Sequence, residues 1–183
     1  MTRRFGLFAS RVLVIATCAI GAAPAHLFAE QQPSAPAAPA QLTPQDLARI
    51  KKEVTAAIHQ YYRFYTERNM KAMGDQVYFA PFIGVGANGI TVQPTADAVT
   101  KNHEGALKRL LDGGWDRSEF PNPTVCVMNA GAALASGTFS RYRKDGTVIS
   151  TNGITYWMGK APDGWKIISF TGHAQGKLVQ CND

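Results

Sequence analysis

The sequence predicts an α+β domain, with a long N-terminal helix and two further helices packed against a mainly antiparallel sheet. Strand-like runs at residues 124–128, 132–142, 148–158 and 165–173 follow one another in the C-terminal part of the chain. They are separated by Asn129-Ala130-Gly131, Lys144-Asp145-Gly146 and Pro162-Asp163-Gly164. Such separators supply the positive φ angles and preset turns that hairpins need. Ahead of this meander lie helical patterns and a short hairpin, so helices are available to cover one face of the sheet.

Residues 1–29 read as a signal peptide. Arg3 and Arg4 form a positive start, residues 12–25 are an apolar run broken by Thr17, Cys18 and Pro24, and Ala23-Pro24-Ala25 offers a small-x-small cleavage site, with a second site after Ala29. The run falls short of the roughly 20 residues that span a bilayer, so export is favoured over an uncleaved anchor. Thr2-Arg3-Arg4 with Leu7 is similar to a twin-arginine signal. Gly6, standing where a bulky apolar residue belongs, favours the general secretory route instead. Thr17 before Cys18 makes a poor lipid-attachment site. The mature protein is therefore expected in the periplasm or secreted, with no membrane contact after cleavage.

Losing Arg3, Arg4 and Arg11 lowers the formal charge from +6 to +3. That is a mildly basic solvated surface and no case for nucleic acid. The nearest basic cluster, Arg141, Arg143 and Lys144, falls at a hairpin tip and reads as a solvated turn.

Residues 30–41 are Gln, Pro, Ser and Ala with almost no bulky apolar side chain, and read as a disordered tether. Residues 42–183 form one domain by length, without internal repeats. Thr43 is placed to cap the first helix, Pro44 suits its first position, and Asp46 completes a capping box. Leu47, Ile50, Val54, Ile58, Tyr61 and Tyr65 then recur at spacings of three and four, giving one buried face. Asn69 caps a short second helix ended by Gly74. Residues 77–86 and 90–93 form a hairpin around Ala87-Asn88-Gly89. Pro94-Thr95 opens a third helix with Val99, His103, Ala106, Leu107, Leu110 and Leu111 inward, and Gly113-Gly114 stops it.

This order of elements, with a Tyr-rich first helix and a last strand that begins Gly164-Trp165-Lys166-Ile167-Ile168, resembles the nuclear transport factor 2-like superfamily, which includes polyketide-cyclase-like and ketosteroid-isomerase-like proteins. The resemblance implies a strongly curved sheet wrapped round the long helix, a cone with a pocket at its wide end. It also implies a homodimer through the outer sheet face. An isomerase of this type carries its carboxylate base before a proline in the hairpin's first strand. The corresponding dipeptide is Ala80-Pro81, and alanine cannot take a proton, which argues against that chemistry.

The candidate ligand-binding residues are Tyr61, Tyr65, His103, Trp115, Tyr156 and His173. Tyr61 and Tyr65 lie on the stripe that would face the cavity, where each hydroxyl meets either a ligand oxygen or a backbone carbonyl. His103 falls on the apolar side of the third helix, either lining the pocket or satisfied in the core. Trp115, in a Gly/Pro-rich loop, reads as a lid over a ligand or as packing across the cone's edge. Of the neighbours Tyr156 and Trp157, alternation favours Tyr156 for the cavity. If Lys166 faces solvent, alternation puts Trp165, Ile167, Ser169, Thr171 and His173 on the concave face.

No metal site is expected, because His59, His103 and His173 are scattered and no H-x-x-x-H or Cys-pair cluster occurs. No cofactor is expected either, since Gly84-Val85-Gly86 lacks the third glycine and following helix of a dinucleotide site. In an oxidising compartment Cys126 and Cys181 read as a disulfide, the alternative being a buried Cys126 and a free tail thiol. Two functions remain open. One is a non-catalytic exported domain that takes a small, partly apolar molecule or a partner. The other is a lyase, hydrolase or isomerase using Tyr and His as acid and base in the same pocket.

Overall fold

The computed structural model describes residues 41–181, so the signal segment and nearly all of the tether read from the sequence lie outside the described residues. Helix α1 spans Pro44–Thr66 and starts as its sequence dictates. The Thr43 hydroxyl accepts from the Asp46 amide at 3.1 Å and the Asp46 carboxylate accepts from the Thr43 amide at 3.3 Å, so two exposed donors are satisfied reciprocally. The buried face is Ile50, Val54, Ile58, Tyr62, Phe64 and Tyr65. Tyr62 replaces Tyr61 as the fully buried residue of the pair, and Tyr61 is half-buried.

Helix α2, Met70–Ala72, is capped by Asn69, whose side-chain oxygen accepts from the Ala72 amide at 3.2 Å. It runs without a break into a π-helical turn, Met73–Val77. Gly74 does not stop the helix, contrary to the sequence expectation. It lies inside the turn, where a Cβ would meet the Thr100 hydroxyl at 2.2 Å and the Ala96 carbonyl at 2.5 Å. Only glycine lets the turn approach the start of helix α3, Ala96–Asp112, this closely. Helix α3 is capped by Thr95, whose hydroxyl accepts from Ala98, and closes at Gly113. It buries Val99 and His103 and leaves Leu111 exposed, so its inner face is narrower than the sequence suggests.

The strands are β1 (Tyr78–Gly86), β2 (Gly89–Gln93), β3 (Arg117–Glu119), β4 (Thr124–Asn129), β5 (Ala132–Tyr142), β6 (Val148–Ala161) and β7 (Gly164–His173). They form one seven-stranded sheet in the order β2-β1-β7-β6-β5-β3, with β4 also paired to β5. The β1–β7 pair is parallel and the rest are antiparallel. The sheet is mixed and curled but unclosed, and the three helices pack on it, as the α+β expectation required. Strand β3, within what reads as a loop in the sequence, pairs with the far end of β5.

Ile50, Val54 and Ile58 are at most 1% exposed and share one core with Trp165, Ile167, Met158 and Tyr156 from β6 and β7. Fully burying a side chain of this size is worth about 1.5–3 kcal/mol, so this contact accounts for much of the helix's docking. A polar tie flanks it. Glu53 accepts from Lys160 at 2.8 Å and from the Trp165 indole at 2.9 Å, which holds its carboxyl at about 2.

Candidate functional site

A cavity of about 610 Å³ opens between α1, α3 and the concave side of the sheet. Helix α1 presents Tyr61, Tyr62 and Tyr65, helix α3 presents His103 and Arg109, and the sheet presents Phe82, Phe139, Ile154, Tyr156 and Phe170. Phe120 sits over Gly137, where a Cβ would come within 2.7 Å of its ring, and Tyr62 stacks on Phe120 at 5.4 Å.

The tyrosines are bonded to one another and to histidine. Tyr62 Oη and Tyr156 Oη are 2.9 Å apart and buried. Tyr65 Oη lies 2.6 Å from His103 Nδ1. Tyr61 touches Tyr62, Tyr65, Tyr78 and Tyr156 edge to face. Burial pushes the hydroxyls of Tyr61, Tyr62, Tyr65 and Tyr156 above their ordinary range. The same loss of solvent drives His103 down to about 4, so its ring is neutral near pH 7. His103 is 4% exposed, stacks on Tyr78 at 4.8 Å, and leaves its Nε2 buried without a hydrogen-bond partner. Gln93 Oε1, also on the wall, is buried and unpartnered as well. Leaving such an atom unsatisfied costs about 1–3 kcal/mol.

Of the six residues proposed from sequence, Tyr61, Tyr65, His103 and Tyr156 meet in this cavity. Of the two neighbours that alternation separates, Tyr156 is fully buried on the cavity wall and Trp157 is 48% exposed. Trp115 is not a lid. It is 4% exposed, packs edge to face behind Tyr65 and donates its indole N–H to Ser118 Oγ at 2.9 Å, off the cavity wall.

His173 reaches the rim of the cavity, but its ring is turned to the other face of the sheet. The cause is a bulge. The β6–β7 register passes from Met158↔Ile167 to Trp157↔Ser169, leaving Ile168 unpaired. One extra residue inverts the alternation beyond it. Trp165 and Ile167 therefore face the core as expected, whereas Phe170 and Gly172 line the cavity and Ser169, Thr171 and His173 point outward. Lys166, taken as solvent-facing, is 6% exposed, with its ammonium on the Gln76 carbonyl at 2.7 Å and on Asp163 at 2.8 Å.

On the outer face, His173 Nε2 lies 2.9 Å from Thr155 Oγ1, and Nδ1 donates to the Ala174 carbonyl at 2.9 Å. Thr155 meets Ser136 at 2.8 Å, and Ser136 Oγ accepts from the Val179 amide at 3.0 Å. These bonds, and the Cys126–Cys181 disulfide expected from sequence, hold the C-terminal segment against that face.

Phe82, Phe139, Phe170, Arg109 and Arg141 are cavity residues that sequence reasoning missed. Arg141 does not sit in a solvated turn. It is half-buried, 5.1 Å from the Phe139 ring, on the same strand face. Among the described residues no three His, Cys, Asp or Glu side chains gather in a way that would hold a metal, and no helix is long and apolar enough to cross a membrane.

A curled, unclosed sheet wrapped on a long helix, with a pocket on its concave side, defines the nuclear transport factor 2-like class. The chain belongs to the family described as NTF2-like protein (DUF6841), whose model matches residues 52–175. Among solved structures it is similar to an NTF2-like protein with a cystatin-like fold from Novosphingobium aromaticivorans, at 15% identity and a TM-score of 0.60, covering 73% of this chain and 86% of that one. It is also similar to an NTF2-like superfamily protein from Salmonella enterica, at 19% identity and a TM-score of 0.53, covering 72% and 94%. A cystatin-like-fold protein of unknown function from Nostoc punctiforme matches at 13% identity and a TM-score of 0.57, covering 76% and 98%. At these identities the likeness concerns the fold alone. No curated protein matches the sequence.

Proposed function

We propose that this is an exported domain that binds a small, partly apolar molecule in the cone cavity without transforming it. The observation that carries the reading is the buried, unpartnered Nε2 of His103 on the wall of an aromatic cavity of about 610 Å³. Pockets of this size, largely apolar with a few convergent polar groups, are the usual form of a small-molecule site. Export is supported by the Cys126–Cys181 disulfide, a bond that persists in oxidising compartments.

Acid–base catalysis is the second reading, and the Tyr65–His103 contact at 2.6 Å is what favours it. It ranks second because burial moves both groups the wrong way. A proton shuttle works best with its pKa near the working pH, yet His103 is driven down to about 4 and Tyr65 is pushed up. No carboxylate lines the described cavity.

A second copy of the chain is the proposed partner. Phe79, Ile83, Val85, Ile90 and Val92 are exposed on the outer side of β1 and β2, and Trp157 extends that row across β6. Sedimentation equilibrium tests this, with Val92→Lys expected to yield monomer.

Native mass spectrometry of the exported protein tests the main reading. The expected spectrum carries an adduct that is lost in an Ala106→Trp variant with a filled cavity. A turnover product formed from that adduct would favour catalysis instead.

A further inference from the structure

The cavity has a polarity gradient, and its sign names a ligand class. The floor is aromatic and deeply buried, with Tyr156 fully buried and Phe82 1% exposed. Toward the opening stand two guanidinium groups, Arg141 half-buried and Arg109 exposed. No aspartate or glutamate is among the described residues that line the cavity. Of the other described arginines, Arg49 pairs with Asp46, Arg63 with Glu67 and Arg117 with Glu119, while Arg68 and Arg143 are exposed, without a carboxylate partner among the described residues, and lie outside this cavity. Neither Arg109 nor Arg141 has a carboxylate partner among the described residues.

Resting on the binding function proposed above, we infer that the ligand is an organic carboxylate: a cyclic or aromatic body for the floor and an anionic group for the two arginines. Two like charges opening on one partly desolvated cavity repel, and an anion between them removes that repulsion. A guanidinium presents donors in a planar fork that matches a carboxylate, which is why arginine suits this group better than lysine does. His103 fits the same polarity. Neutral at pH 7, it offers Nε2–H to the cavity once Nδ1 accepts from the Tyr65 hydroxyl at 2.6 Å. Asn102 and Asn152, on opposite sides of the opening, add amide donors.

The test compares a carboxylate with its uncharged isostere. Binding of 2-naphthoate and 2-naphthamide to the purified protein is measured by titration calorimetry at pH 7.5 and low salt. The expected result is naphthoate binding at least tenfold more tightly, with that advantage shrinking as salt is added. Arg109→Gln, at the exposed opening, and Arg141→Gln should each cut the acid-to-amide ratio several-fold, the loss falling mainly on the acid, and Arg141→Lys should restore part of it. Equal binding of acid and amide, or a ratio insensitive to both arginine substitutions, overturns the carboxylate assignment and leaves the binding cavity standing. Failure of both probes to bind overturns the cavity reading and the assignment together.

Discussion

Tyr65 Oη stands 2.6 Å from His103 Nδ1, joining the long helix to the third helix across the wall of the cavity. The imidazole has been taken out of water with one nitrogen bonded and the other, Nε2, left without a partner. That arrangement keeps the imidazole neutral near pH 7 and makes the fold's stability sensitive to acid.

Burial depresses His103 from 6.5 to about 4. Between those values the unfolded chain binds a proton that the folded one does not, so stability rises with pH through this window and falls on acidification. Going from pH 7.5 to pH 5 should cost about 2 kcal/mol from this group alone. Guanidinium unfolding at both pH values checks this, with His103→Gln as reference. The variant's pH dependence should be smaller by that amount, and an identical dependence would show that the ring is solvated.

The Tyr62–Tyr156 hydroxyl pair, 2.9 Å apart and buried, should be strongly non-additive. Tyr156→Phe or Tyr62→Phe alone strands one hydroxyl and should cost about 1–3 kcal/mol, whereas the double variant should cost less than the sum of the two. A thermodynamic cycle from chemical denaturation measures the coupling. Additive losses would place water between the two oxygens.

His173 tests the inverted register of β7. A Cβ at Gly153 would meet the His173 ring at 2.4 Å and the Ala174 carbonyl at 2.7 Å, so the ring must cover Gly153 on the outer face. Gly153→Ala should destabilise by about 1–3 kcal/mol, typical of overpacking. In a Gly153→Ala/His173→Ala double variant part of that loss should return. No loss in the single variant would put the ring back over the cavity.

The disulfide closes a separation of 55 residues between Cys126 and Cys181. Chain entropy alone gives such a loop about 4 kcal/mol of stabilisation. Reduction should therefore lower the melting temperature, and should raise amide exchange at Val179 once the segment that bonds Ser136 is freed. Two titratable thiols in protein purified without reductant would contradict the bridge.

Much of the fold was legible because its punctuation is local. Gly146 and Gly164 hold positive φ in the two turns flanking β6, and Thr43 and Thr95 cap their helices through bonds that span three residues. The cavity was only partly legible. In Tyr61-Tyr62-Arg63-Phe64-Tyr65 four aromatics crowd one turn and more of helix, so period alone could not separate Tyr62 from Tyr61. The bulge at Ile168 has no local sequence signal; it is set by pairing between β6 and β7, and it moved His173 away from Tyr65 and His103. Arg141 looked like one of three turn cations until the long β5–β6 pairing placed it on the face that carries Phe139.

The most direct test of the binding cavity is a crystal structure of the protein soaked with a set of small aromatic acids and their neutral counterparts. The expected map shows a ring seated among Tyr61, Phe82, Phe139 and Phe170, within reach of His103 Nε2, in the cavity of about 610 Å³. A map with the cavity closed by repacked side chains, and fragments bound only on the outer face, would contradict it.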